Sequence, residues 1–556
     1  MKKHLIWILI GVSFVLYFRM LFNGFVGDDF GYINHPYIKN FEVLNFFRSG
    51  SADLGGASLI TGSFFRPLML VVISFIYQLS GSSSFLYHLI QLLIHTTNGI
   101  LLFVVLKKFF KENLAFFLAF VFLIHPVNVE TVSYISNLQD VLYVFFGLCA
   151  LLALMNVFLK KYNLLFVNFC LLFSLLSKET GILFVAICIL WVYLFKKSHL
   201  KNFYTSFCIF LTTYLFIRCI IAGVWIGGGV HTVFGNLSLG ERLVNSPAII
   251  FHYLYIFVFP KDLLLAQTWI TTRDFNGLYL PVITIVLAVI SLVTFLKRLR
   301  NSKTLFFPVI FFSAWLSLGL LLHSQIFPLE MTVADRWFYF PLIGLLGIVG
   351  VIVESNKTKL LGKILMVGAV IVVVAFFIRS YIRIGDFKDS LTLYSHDTKH
   401  TRSYLLEHSL GYELIQVKEY KEALPHLLNS VTLFENTNNT NTLGVYYYQT
   451  HATTSAISMF EKSITLGDNY LAYRNASQIY IDVGNFVKAE HVLKKATSAF
   501  PKDSNFWFLL SIAEYKLGKN ERALDAAESA YQLNPTSQNF YIVHQLRIGE
   551  PIKFND

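Results

Sequence analysis

Eleven apolar stretches, at 5–22, 85–106, 114–126, 138–159, 162–177, 180–195, 203–222, 279–296, 304–322, 337–353 and 361–379, fill most of the first 385 residues. A helix needs about 20 mainly apolar residues to cross a bilayer. Backbone inside lipid must satisfy its own hydrogen bonds, so a chain of this kind folds as a bundle of helices. Charged residues make up only 14% of the chain, where a soluble domain is about a quarter charged. The expected fold is therefore all-α, with about 11 spans in a polytopic domain at 1–385.

Lysine and arginine mark every second connection: Lys2/Lys3, Lys107/Lys108/Lys111, Lys160/Lys161, Lys196/Lys197/Lys201, Lys297/Arg298/Arg300/Lys303 and Lys357/Lys359/Lys363. Basic short loops stay in the cytosol, so the other connections and the C-terminal region are expected outside. Two apolar stretches break this alternation if they cross. Residues 67–80 are short and read as an interfacial helix, and 246–260 as re-entrant or interfacial. The net charge of +12 is loop charge. No basic cluster interleaved with aromatics lies outside the short loops, which excludes a nucleic-acid partner. All five cysteines lie in apolar segments without metal-ligand spacing, so they read as small hydrophobes.

After a linker at 386–403 the composition turns polar and a repeat begins. Ala423, Ala456, Ala489 and Ala523 are 33, 33 and 34 residues apart, each twelve positions after a small residue (Gly411, Gly444, Ser477, Ser511). This is the tetratricopeptide period, in which small residues let two helices cross closely. Four units, at about 404–436, 437–469, 470–503 and 504–537, predict an α-solenoid over 404–545. Tyr446, Tyr447, Tyr473 and Trp507 are expected on its concave face, where an extended acceptor would lie.

Polar residues gather at the outward mouths of the spans. Asp28 and Asp29 follow the first span in NGFVGDDFGYINHP; they are either solvated loop charge or a general base at the membrane surface. His125, Glu130 and Asp140 lie in HPVNVETVSYISNLQD, where capping is the plain alternative. Lys178 and Glu179 in SKET pair locally, or the lysine holds a phosphate as a point charge. Arg218 is a lone cation near a span's outer end, and such charges are costly and usually functional. Asp335 and Arg336 open a span in ADRWFYFP. Together they offer a base for an acceptor hydroxyl and cations for a leaving phosphate.

NGFVGDDFGYINHPYI, FFRPLMLVVISFIYQLSG, FLYHLIQLLIHTTNGILLFVVL, FLIHPVNVETVSYISNLQDVL, SLLSKETGI and ADRWFYFPLIG resemble, in order, segments of the GT-C glycosyltransferases that carry C-terminal tetratricopeptide repeats. These include the transmembrane-and-tetratricopeptide O-mannosyltransferases and their bacterial relatives. The resemblance implies a hexosyltransferase that moves a sugar, with mannose one candidate, from a polyprenyl-phosphate donor to a hydroxyl. Protein serine or threonine on the outer face of a membrane would be the acceptor.

The acidic pair implied by the resemblance is Asp28 and Asp29. In an extended segment adjacent side chains point oppositely, so one is expected to serve as base, Asp29, with Asp28 supporting it. Lys178, Arg218 and Arg336 are the expected phosphate contacts, with His125, Glu130, Asp140, Glu179 and Asp335 supporting. No cofactor beyond the lipid-linked donor is required; a divalent metal on Asp28, Asp29 and Glu130 is an open alternative. Gly27 replaces the Trp that precedes the animal acidic pair, and Asp335 replaces a Glu. Both departures favour a bacterial member, in the inner membrane with periplasmic repeats. Two other readings are an O-antigen polymerase or ligase and a non-catalytic scaffold whose repeats recruit partners. The first places its active loop late in the chain, and the second needs none of the charged turns.

Overall fold

A computed structural model describes residues 3–48, 50, 64–156, 161–197, 200–225, 232–356 and 359–552. Lys2, Lys160 and Lys357 of the basic connections lie outside these residues. The described residues are helical, with one isolated antiparallel bridge between Gln267 and Val333. They form two units that divide after Ser403.

All eleven expected spans fall on helices. Eight are long and apolar enough to cross a membrane, from His4–Phe22 to Gly368–Asp386, and a ninth, Glu112–Ile124, bends by 49° into Pro126–Ser133. Leu164–Ser177 and Glu179–Phe195 are the shorter remainder. At 1.5 Å per residue, a 17-residue helix reaches about 25 Å, less than a hydrocarbon core of about 30 Å. Lys178 forms the joint between these two helices, in extended backbone (φ −159°, ψ 142°).

Beside the basic connection at 107–111, Phe109 meets Trp191, Phe195, Phe311 and Phe312 at ring distances of 4.9–6.1 Å, and Lys111 pairs with Glu354 at 3.5 Å.

Residues 67–80 form the single helix Pro67–Ser80. Its Ser74 and Gln78 donate to the carbonyls of Ile38 and Lys39 at 2.7 and 2.9 Å, so it packs on the loop after the first span. The second anomalous stretch lies in one unbroken helix, Leu239–Val258, with a capping box between Ser238 and Glu241. Residues 246–258 are therefore continuous helix, with Pro247 inside it.

The expected linker is a correction. Residues 386–403 belong to the first unit and contain the helix Ser390–Asp397. Buried Asp397 accepts two bonds from buried Arg383 at 2.7 and 3.0 Å and one from the Leu265 N–H at 2.8 Å. Burial alone would raise the Asp397 pKa, but Arg383 and these donors hold it below the ordinary carboxylate value.

The second unit is the solenoid. Helix pairs Tyr404–Gln416 and Tyr420–Leu433, Thr437–Gln449 and Thr453–Leu466, Tyr470–Asp482 and Phe486–Ala499, and Ser504–Lys516 and Asn520–Leu533 match the four repeats, with Ser537–Ile548 after them. Ala423, Ala456, Ala489 and Ala523 are fully buried. A methyl group on Gly411 or Gly444 would lie 2.6 Å from Leu427 or Phe460, which is why a small residue precedes each alanine. The aromatic expectation fails in part: Tyr446 and Tyr473 are buried in the repeat core, and Tyr447 and Trp507 are half-buried.

Candidate active site

The mouths of the spans join through side chains. The first loop turns into the short helix Asp29–Asn34 directly after Asp28, which has helical backbone angles (φ −63°, ψ −17°). The two carboxylates therefore diverge as successive helical residues do, not as alternate sides of an extended strand.

Asp29 is buried. Its Oδ2 accepts from the Val26 N–H at 2.9 Å, and its Oδ1 accepts from the Ser136 N–H at 2.7 Å and from the Ser136 hydroxyl. Asp28 is exposed at the wall of a recess. Tyr134 Oη accepts from its backbone N–H at 3.0 Å and also bonds to its carboxylate. The two carboxylates thus have different settings: Asp29 ties the first loop to 134–137, and Asp28 is exposed.

Gly27 sets this turn. It has φ +50°, and a methyl group on it would lie 2.4 Å from the Tyr394 hydroxyl. The loop is also hung on the segment after the last span. The Gly24 N–H donates to the Lys388 carbonyl at 2.8 Å, the Gly27 N–H to Ser390 Oγ at 3.1 Å, and Asn23 Nδ2 to the Ile384 carbonyl at 3.0 Å.

Each expected cation already has a carboxylate. Lys178 Nζ bonds Asp140 Oδ1 at 2.6 Å with both side chains buried. Arg336 pairs with Glu130, whose other oxygen accepts from the Arg336 N–H at 3.0 Å. Arg218 donates to Glu179 at 3.3 Å, to the Tyr214 hydroxyl at 3.1 Å and to the Val224 carbonyl at 3.3 Å. The local Lys178–Glu179 pair does not form. Arg218 is held at Glu179, and Tyr214 and Glu179 act on its charge.

His125 caps a turn. Its Nδ1 accepts from the Val127 N–H at 3.2 Å, so its Nε2 donates to the Phe257 carbonyl at 3.1 Å. Both nitrogens of the neutral ring are used, and the ring stacks on Phe257. Buried Asp335 leaves Oδ1 without a partner among the described residues and feels the fields of Glu130, Arg383 and Asp397.

Sequence reasoning missed Arg66, Tyr134, Ser136 and Glu330. Arg66 bonds Glu179 at 3.1 Å, and the Phe65 N–H donates to the same carboxylate at 2.6 Å. Its signal was present: it is the one cation in FFRPLM, directly before the helix-starting Pro67. Glu330 gave none, because it lies in an irregular loop. That loop is fixed by Gln325, whose Oε1 accepts from the Leu329 N–H at 2.9 Å and whose Nε2 donates to the Thr332 carbonyl at 3.1 Å.

Mutual electrostatics locate the centre. Arg336 acts on Asp28, Arg66 and Arg336 act on Lys178, and Asp28, Arg336 and Arg66 all act on Glu330. Desolvation raises Asp28 above the ordinary carboxylate value, opposed by Tyr134 and Arg336. It pushes Asp29 up to about 7, opposed by its three bonds. Glu330 is raised by burial and then by Asp28. Asp28, Arg66, Lys178, Glu330 and Arg336 are thus linked through one another's fields.

The three carboxylates suggested for a divalent metal do not fit one. Asp29 and Glu130 spend their oxygens on protein donors, and among the described residues no three His, Cys, Asp or Glu side chains group as ligands.

No family model matches the chain. A protein O-mannosyl-transferase of Caenorhabditis elegans is 26% identical over 408 residues, covering 70% of this chain and 56% of the relative. The human protein O-mannosyl-transferase TMTC3 is 22% identical over 98% of this chain and 66% of the relative. The chain resembles the protein O-mannosyl-transferases along most of its length. It spans between 56% and 66% of the length of these two relatives. Among solved structures, ArnT from Cupriavidus metallidurans bound to undecaprenyl phosphate is 12% identical with a TM-score of 0.43, covering 91% of this chain and 81% of that one.

Proposed function

We propose that this chain is a membrane glycosyltransferase that moves a hexose from a polyprenyl-phosphate donor to a hydroxyl acceptor, with Asp28 as general base. The observation that supports this reading is the exposed Asp28, bonded to Tyr134 and under the field of Arg336, which with Arg66 also acts on Lys178. The relatives' names carry mannose and a protein acceptor; we assign the same classes here.

A hydroxyl is a weak nucleophile at neutral pH and needs a base in contact. Asp28 takes its proton as the hydroxyl oxygen attacks the anomeric carbon. The bond from that carbon to the phosphate oxygen breaks, and the oxygen keeps the electron pair. The phosphate thereby gains one negative charge. Arg66, Lys178 and Arg336 stabilise that charge, and cations aimed at developing charge lower the barrier. Arg218 acts one step away by holding Glu179, which orients Arg66. Glu330 accepts hydrogen bonds from sugar hydroxyls.

We place this site at the end of the bundle away from the basic loops. With those loops cytosolic, it opens on the outer face, the N-terminus is inside and the repeats follow outside. In a bacterium that is the inner membrane with a periplasmic solenoid, which we assign to acceptor binding. The test is sugar transfer in membranes by Asp28→Asn at matched expression, read by mass spectrometry of lipid-linked donor and glycopeptide. Full activity in that variant would remove the base and the reading with it.

A further inference from the structure

The helix Leu239–Val258 has a second face that the recess does not use. Its Tyr253 hydroxyl donates to the Ala334 carbonyl at 3.2 Å, beside Arg336. On another face Ala248, Phe251, His252 and Tyr255 stand at i, i+3, i+4 and i+7. The segment 269–272 and the foot of the next helix, at Gly277 and Pro281, border these to leave an open pocket of about 370 Å³. That is within the size range of small-ligand sites.

The wall of this cavity is shared with the catalytic loop. The Trp269 N–H donates to Thr332 Oγ1 at 2.9 Å, and the Thr332 N–H donates to the Gln267 carbonyl at 2.8 Å. Thr332 is two residues from Glu330 and four from Arg336.

The lining is built and uncharged. The Trp269 indole is fixed by Nε1 donating to Gln267 Oε1 at 3.1 Å. Phe251 and Tyr255 are stacked at 6.4 Å. The polar rim is tied down by the Thr271 N–H on Asn245 Oδ1 and the Gly277 N–H on Asp274 Oδ1, both at 2.6 Å. A methyl group on Gly277 would lie 2.3 Å from Thr272 Oγ1, so the rim closes only around glycine. His252 Nε2 is buried in this wall with no hydrogen-bond partner among the described residues. Buried polar atoms nearly always have one.

We propose that this cavity binds the neutral hexose ring of a glycan, at a subsite distinct from the catalytic recess. Aromatic faces take the apolar C–H face of a pyranose, and His252 Nε2 and Thr272 Oγ1 take its hydroxyl edge. A phosphate or carboxylate ligand would find no cation in the lining, and an acyl chain would leave His252 Nε2 unpaired. The binding claim rests on the cavity alone. Its use, to hold an acceptor that already carries a sugar, rests on the transferase reading above.

The test is saturation-transfer NMR on the full chain in an amine-oxide detergent, which has no sugar headgroup, with methyl α-mannopyranoside as probe and no donor present. Saturation should reach the sugar protons in the wild type and in Asp28→Asn. It should fall roughly tenfold in Trp269→Ala and His252→Ala, with Thr272→Val as a milder variant if either fails to fold. No saturation in the wild type, an unchanged signal in folded Trp269→Ala, or a loss confined to Asp28→Asn would overturn the proposal. An O-hexosylated peptide and a neutral hexosyl-diacylglycerol in nanodiscs separate the two sources of the ring, and Trp269→Ala should weaken whichever binds. Loss of transfer in Asp28→Asn is read independently, so either claim can fail alone.

Discussion

Replacing each of the adjacent aspartates by asparagine separates chemistry from architecture. At Asp28 the side chain is exposed, and among the described residues Tyr134 bonds it and Arg336 acts on its charge, so the near-isosteric swap removes the base and little else. General-base catalysis contributes typically 10²–10⁴-fold, which is about 2.7–5.4 kcal/mol of barrier. Turnover should fall by that factor while melting temperature holds. At Asp29 one side-chain oxygen becomes an NH₂ group facing a donor, either the buried Val26 N–H or the two Ser136 donors. An unsatisfied buried group costs about 1–3 kcal/mol, so this variant should melt lower and lose only part of its turnover. Melting is best compared near pH 6, below the Asp29 pKa of about 7, where its charge is mostly absent. The folded pKa is raised above the unfolded value, so this group's contribution to stability is present below the ordinary carboxylate range. It is lost as pH rises through about 7. Asp29→Asn should flatten that slope. The opposite pattern, with Asp29→Asn stable but 10²–10⁴-fold slower and Asp28→Asn active, would refute the assignment.

Because Asp28 must be ionised to act, transfer should fall as pH drops through its raised pKa. Tyr134→Phe removes a bond that lowers that pKa, so a kcat profile should show its acid limb moved to higher pH. Removing one partner of a buried ion pair costs about 3–5 kcal/mol, so Lys178→Met should destabilise the membrane unit. Adding Asp140→Leu should restore melting temperature but not donor affinity. A chain ending at Ser403 should keep donor binding, measured by labelled lipid-donor capture, whereas one ending at residue 385 loses Asp397 from Arg383 and Ser390 from Gly27 and should lose it. Overpacking costs about 1–3 kcal/mol, so Ala489→Leu, at a fully buried site, should lower the melting temperature of the repeats while donor capture persists.

What the sequence exposed was whatever a local pattern encodes. Apolar length found the helices, and the spacing of Ala423, Ala456, Ala489 and Ala523 found every repeat. The acidic pair and Lys178, Glu130 and Arg336 stand out in the sequence because charge is rare in this chain. The partners were not legible, since they are set by tertiary contact: Lys178 reaches 38 residues back to Asp140, and Arg336 reaches 206 back to Glu130. The contrast between Asp28 and Asp29 was hidden for the same reason. It depends on the helical turn at Asp28 and on Ser136, 107 residues away. Residues 386–403 looked like a linker because their polar composition hides one buried bidentate pair, Arg383 with Asp397.

Pairing each cation with a carboxylate before any donor arrives has a mechanistic consequence. A lone lysine or arginine in so crowded a place would be costly to desolvate and free to wander. Paired, it is fixed, and it keeps donors to spare: an ammonium has three and a guanidinium five, while Lys178 spends one on Asp140. A phosphodiester donor carries one negative charge on arrival and two when it leaves as the monoester. A recess whose cations are already balanced binds the first charge weakly and gains most when the second develops. Only interactions stronger in the transition state than in the ground state raise kcat, and this arrangement is of that kind. Loss of Arg66, the cation joined to Glu179 and hence to Arg218, should therefore lower kcat more than it raises KM for the donor. If Arg66→Lys, which keeps the charge but not the fork, changed KM alone, the cations would be serving ground-state binding and this account of the recess would fall.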